Sequence, residues 1–131
     1  MRLLAAIAAI LLLILVACSG AGEPVFGNEQ LLAGDAVVVC SQACAERGQC
    51  GERLEEGGEV VLASETGPAT TGHSFVLPDQ ATVAIVEARA EQVVQTSDQV
   101  TFPLNFYYVT EQASGSSGWV AGWCIAGRRP P

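Results

Sequence analysis

The chain contains no lysine; its six basic residues are all arginine, set against fourteen acids, for a formal net charge of −8. Such a surface repels phosphate backbones and anionic headgroups, which excludes nucleic acid as a partner. Histidine is nearly absent too: His73 is the single one, in a loop rich in Gly and Thr. Nucleophilic catalysis needs a base held against a nucleophile by a third group, and no Gly-x-Ser-x-Gly element or similar motif accompanies His73. The paired acids Glu55 and Glu56 stand beside a turn and read as a solvated face rather than a glycosidase pair. No segment repeats at a solenoid period, which excludes a repeat array. Long apolar runs are missing as well, with one exception at the start of the chain.

That exception spans residues 3–16, composed of Leu, Ile, Val and Ala after Met1 and Arg2. As a helix rising 1.5 Å per residue it would reach roughly 20 Å, against about 30 Å of bilayer hydrocarbon. A short positive start, a short apolar run and small residues after it are the marks of a secretory signal. Its end, Leu15, Val16, Ala17 and Cys18, resembles the bacterial lipobox. The resemblance implies cleavage of residues 1–17 and diacylglyceryl transfer to the Cys18 thiol. Further acylation would give the two or more chains that hold a protein stably on a bilayer. The expected location is extracytoplasmic, with the chain anchored to a bacterial membrane through lipid on Cys18. No retention signal decides between inner and outer membrane.

Export and the remaining cysteines agree. With Cys18 set aside, Cys40, Cys44, Cys50 and Cys124 make an even set, which in an oxidising compartment reads as two disulfides. Three pairings are possible; the favoured one joins Cys40 to Cys124 and Cys44 to Cys50, tying the first strand to the last and closing a small loop. A metal cluster completed by His73 is disfavoured by the ligand spacing and by export, so no metal or other cofactor is expected.

Residues 18–35 are small, polar and Gly-containing, the composition of a tether, although Leu31 and Leu32 are able to dock. Residues 36–40 are β-branched and read as a strand. Ser41 and Gly48 bracket one helical turn as N-cap and stop. Two runs around Gly57 and Gly58 suggest a hairpin, and residues 65–74 a loop. Residues 82–94 are ambiguous between strand and helix; their β-branched content and period-2 alternation favour strand. Residues 105–110 and 119–125 read as strands, the second interrupted at Gly122, and 127–131 as a tail. The expected class is all-β.

Phe106, Tyr107, Tyr108 and Val109, then a Gly/Ser turn, Gly118, Trp119 and Val120, and finally Cys124 and Ile125, resemble the closing hairpin of bacterial SH3-like domains. Upstream, residues 75–86 are similar to that family's diverging turn and Val-rich strand, and residues 51–62 fit the same slot. The resemblance implies a small SH3-like barrel over residues 36–126, five- or six-stranded and strongly bent, with enlarged loops and disulfide staples. It also implies a module that binds peptides or cell-wall material, or positions a partner protein.

On a regular last strand Trp119, Ala121 and Trp123 would share one face. With Tyr107 or Tyr108 opposite, that face is a candidate binding surface; its competitor is that the same rings fill the core. The two readings differ at Trp123→Ala, which spares stability only if the ring is a platform. The function expected from these features is a membrane-anchored, non-catalytic binding or scaffolding module. Its rivals are a thiol-redox or hydrolytic enzyme using Cys and His, and an accessory subunit of a membrane complex.

Overall fold

The computed structural model describes residues 23–128, so the leader, the lipobox and Cys18 lie outside the described residues. Within them about half the chain is strand. The elements are β1 (Pro24–Phe26), β2 (Asp35–Val38), α1 (Gln42–Glu46), β3 (Cys50–Glu52), β4 (Glu59–Ala63), β5 (Phe75–Pro78), β6 (Thr82–Val94), β7 (Thr101–Glu111), β8 (Ser117–Ala121), a 3₁₀ turn (Gly122–Cys124) and β9 (Ile125–Arg128). The mostly-β class follows the expectation. Six strands form one sheet in the order β1-β9-β2-β6-β7-β8, and three form another in the order β3-β4-β5.

The two sheets meet at one bridge, where Ser64 and Trp119 exchange backbone hydrogen bonds of 3.0 and 2.7 Å. Among the described residues the ladders do not close into a barrel. The long connection from β2 to β6 pairs β3, β4 and β5 with one another instead of completing a ring. Residues 75–86 lead into the strand that pairs with β2, with Ala36 opposite Val83. Residues 51–62 belong to the separate hairpin of β3 and β4.

Several local expectations hold. Ser41 caps α1, its hydroxyl accepting from the Cys44 N–H at 3.1 Å, and Gly48 ends it with φ +68°. The hairpin of β3 and β4 turns through Gly57 and Gly58, whose φ values of +67° and +80° suit residues without a Cβ. Residues 82–94 are one continuous strand, as their β-branched content favours. Val86 is the surplus residue of a bulge there, 64% exposed, where the pairing steps from Ile85–Val109 to Glu87–Tyr108.

The tether ends earlier than its composition suggests. Pro24–Phe26 pair with β9, and both Val25 and Leu32 are buried. At its other end β9 runs to Arg128, past the expected domain limit of 126. Tyr107 holds this N-terminal segment down. Its fully buried hydroxyl points its hydrogen between the Gly27 carbonyl (2.8 Å) and the Gln30 carbonyl (3.2 Å). The same oxygen accepts from the Leu32 N–H at 3.1 Å. A Cβ on Gly27 would meet the Tyr107 ring at 2.5 Å, so the glycine is required by that close approach. Tyr107 is therefore core, not binding surface as expected.

The favoured disulfide pairing is also corrected: the bonds are Cys40–Cys50 and Cys44–Cys124. The first and last strands do lie side by side. Their register sets Val38 opposite Ile125, and the Val39 N–H donates to the Cys124 carbonyl at 2.8 Å, so Cys40 falls one residue too far along. Cys44 is the buried residue of α1, and its side chain meets Cys124 instead. The Cys44–Cys124 bond spans 80 residues and the Cys40–Cys50 bond spans 10. Loop-closure entropy assigns them about 4–5 and about 2–3 kcal/mol respectively. The double substitution Cys44→Ala/Cys124→Ala should therefore cost clearly more in urea denaturation than Cys40→Ala/Cys50→Ala. Equal losses would show that the long closure is not what stabilises the fold.

Candidate functional site

Beyond Tyr107, the remaining members of the expected surface fall into two separate places. Tyr108 and Trp119 face each other across β7 and β8, ring centroids 5.4 Å apart. Trp119 is 7% exposed and carries the Arg89 guanidinium over its ring at 4.9 Å. Arg89 in turn pairs with Glu87 at 3.2 Å, so this cluster is electrically closed. Trp123 sits elsewhere, because the strand stops at Ala121 and the 3₁₀ turn breaks the alternation that would have placed it beside Trp119.

The break occurs at Gly122 for a steric reason. A Cβ there would come within 2.7 Å of the Asn105 carbonyl and the Asn28 nitrogen. The chain uses that proximity, the Asn28 N–H donating to the Gly122 carbonyl at 3.1 Å. Turned this way, Trp123 packs against Phe102 at 6.1 Å between centroids. α1 is fastened over it by the Cys44–Cys124 bond and by the Ser41 hydroxyl, which donates to the Trp123 carbonyl at 2.8 Å. Three residues beyond Cys44, Arg47 lays its guanidinium over Trp123 (4.8 Å) and near Phe102 (5.7 Å). Its Nη1 donates to Gln95 Oε1 at 2.7 Å.

Two adjoining depressions, of about 530 and 260 Å³, share Arg47, Gln95, Phe102 and Trp123. The larger lies between the end of α1, Thr70 and Thr71 of the loop from β4 to β5, and the β6–β7 hairpin tip. This size is in the usual range for small-ligand sites. Phe102 and Arg47 are the residues that sequence reading missed. Phe102 lies just outside the assigned strand, and Arg47 carries no motif of its own. Its one legible signal is that it is a rare cation in an acidic chain.

Electrostatically the cleft is unlike the rest of the surface. The structure describes the side chains of Arg47, Arg53 and Arg89. Arg53 is paired to Glu56 at 2.9 Å and Arg89 to Glu87, whereas Arg47 has no carboxylate within ion-pair distance among the described residues. Behind it, Gln49 is 2% exposed, and its Nε2 donates to the Thr70 carbonyl (2.8 Å) and the Arg47 carbonyl (3.3 Å). That orientation leaves Gln49 Oε1 as an acceptor, so His73 Nε2–H is the donor at 2.9 Å. His73 thus braces the cleft wall from behind. Burial lowers its imidazole below the ordinary 6.5, against a weaker opposite pull from a hydrogen bond with the Ala69 backbone.

All four cysteines of this region are disulfide-bonded, and no cluster of three or more His, Cys, Asp or Glu is poised for a metal among the described residues. No protein-family model, curated protein or solved structure matches the chain.

Two outcomes follow. Trp123, at 7% exposure, should cost about 3–5 kcal/mol when replaced by Ala, while the exposed Arg47→Gln should cost under about 1 kcal/mol, measured by thermal and urea unfolding. A stable Trp123→Ala would show that the ring is an open platform after all. For His73, a folded-state value below the unfolded one means that protons bind the unfolded chain better. Its contribution is therefore intact above about pH 6.5 and is lost as pH falls from there to the lower folded value. The melting temperature of the wild type should drop over that range more than that of His73→Gln; parallel curves would remove His73 as the cause.

Proposed function

We propose that this chain is a membrane-anchored extracytoplasmic lipoprotein whose folded domain is a non-catalytic binding module of SH3-like type. The observation that carries the binding part is the Arg47–Trp123–Phe102 cleft. It is an open depression with a rigid aromatic wall, and it holds a cation that has no carboxylate within ion-pair distance among the described residues. An exposed guanidinium held flat against an aromatic wall is placed to pair with an opposite charge supplied by a partner.

The SH3-like part is supported by connectivity. Phe106 to Val109 and Gly118 to Val120 lie on adjacent strands, and the chain then returns through a short turn to place Ile125 beside β2. This is the closing arrangement that the sequence resemblance implies. The anchor rests on the leader and on Cys18. The first described strand, Pro24–Phe26, starts a few residues after Cys18, so a lipid there would hold the domain close to the bilayer.

Cells making the protein should incorporate labelled palmitate into the wild type and none into Cys18→Ser, which should leave the membrane fraction. An unlabelled, soluble wild type would end the lipoprotein reading. A photo-crosslinking residue at Ser97, on the cleft rim, should trap an adduct in intact cells, whereas the same residue at Ser114, in the turn between β7 and β8, should not. Equal capture at both positions would mean that the cleft is not the binding face.

A further inference from the structure

We propose that the cleft takes a short, otherwise uncharged peptide bearing a single carboxylate, and that Arg47 receives that carboxylate. This rests on the binding-module reading above and names the ligand class. Arg47 already commits part of its guanidinium to the protein. Its π face lies on Trp123, and one Nη1–H goes to Gln95 Oε1. The other N–H groups of the guanidinium have no partner among the described residues. Stacking and the Gln95 bond fix the plane of the fork, and a fixed planar fork is the shape that binds a carboxylate through two parallel hydrogen bonds.

Two acids stand at the cleft, Glu46 in its lining and Asp98 in the turn between β6 and β7. Glu46 accepts from Gln42 Nε2 at 2.9 Å, and Asp98 accepts from the Val100 N–H at 3.0 Å. Neither lies within ion-pair distance of Arg47, nor does any other carboxylate among the described residues, so its remaining N–H groups are open to a ligand carboxylate. A net charge of −8 over the chain sets the limit on that ligand. One carboxylate gains locally from Arg47, whereas a polyacidic partner meets repulsion from everything around it.

The choice of a peptide over a sugar comes from the indole. Sugar rings bind tryptophan by stacking on an open face, but Trp123 is 7% exposed and Arg47 covers it. What remains open is the side of the cleft formed by Val93, Val94 and Phe102, with Thr70, Thr71 and Ser97 around it. Apolar side-chain contacts beside hydroxyl and backbone hydrogen-bond partners match an extended peptide. Val94, 54% exposed at the strand end, is a ready contact for a peptide side chain.

The test uses the whole protein as purified from membranes, held in detergent and presented with three libraries of N-acetylated pentapeptides built from uncharged residues. The first has a free C-terminal carboxylate. The second has an amidated terminus and one internal Asp or Glu; the third is amidated and neutral. Mass spectrometry reads which peptides are retained, and titration calorimetry gives their affinities. Retention of the first or second library and not the third is expected, the retained one identifying a terminal or a side-chain carboxylate as the source. Arg47→Gln should weaken those peptides by about tenfold or more, and Arg47→Lys, which keeps the charge but loses the fork, by less. Circular dichroism of both variants should match the wild type, since Arg47 is exposed. Equal retention of the neutral library, or unchanged affinity in Arg47→Gln, would overturn the carboxylate assignment. Loss of that neutral binding in Phe102→Ala would still leave the cleft as a binding site. Retention of none of the three libraries would overturn both the ligand class and the binding role of the cleft.

Discussion

The bond between Cys44 and Cys124 joins a one-turn helix to a one-turn 3₁₀ segment that is 80 residues away in the chain. Neither element is long enough to be stable alone. Together with the Ser41 hydroxyl on the Trp123 carbonyl, the bond holds α1 at a set height above the 3₁₀ turn. Everything in the cleft depends on that height. Arg47 follows Cys44 by three residues and Trp123 precedes Cys124 by one, so the covalent link brings the guanidinium onto the indole. The same link gives a small domain cohesion that its limited core would struggle to supply. Structure and site therefore share one constraint.

A second constraint lies in β7. Along this strand Leu104 and Phe106 are buried, and then Tyr107, Val109 and Glu111, so the inward face changes sides between residues 106 and 107. The outer half of the strand serves Phe102, Trp123 and the cleft. The inner half serves Tyr107 and the pinned N-terminal segment. The β-bulge at Val86 on the paired strand lies close to the point of change, as expected where a ladder must twist. The aromatic residues are thus divided between two jobs by one switch of face. Tyr107 is enclosed, with burial raising its hydroxyl above the usual phenol value, while Phe102 is only partly buried at the cleft.

Much of the local structure was legible in the residues. Ser41 as a cap, Gly48 as a stop, Gly57 and Gly58 as a turn, β-branched residues 82–94 as a strand and a break at Gly122 all rest on backbone preferences that act within a few residues. The disulfide partners were not legible. They depend on a register between β2 and β9 and on which side of α1 faces inward, and spacing encodes neither. The aromatic platform failed for a related reason: alternation predicts a shared face only while the strand continues, and here it ends two residues before Trp123. The docking of Leu32 was legible in its apolar side chain, although Leu31 stays exposed; the pairing of Val25 was hidden because residues 24–26 look like a linker until β9 offers an edge.

The mostly-β class, the acidic surface and the pairing of the four domain cysteines among themselves could all be read from the residues. Those follow from composition, short-range conformational preference and the chemistry of single residues. Which cysteines join, how the strands divide into two bridged sheets, and that Arg47, Phe102 and Trp123 meet in one cleft emerge only from the folded chain. These are contacts between residues that lie 21 to 76 positions apart. Their formation is governed by register, strand twist and one glycine's missing Cβ, quantities that exist only once the chain has closed on itself.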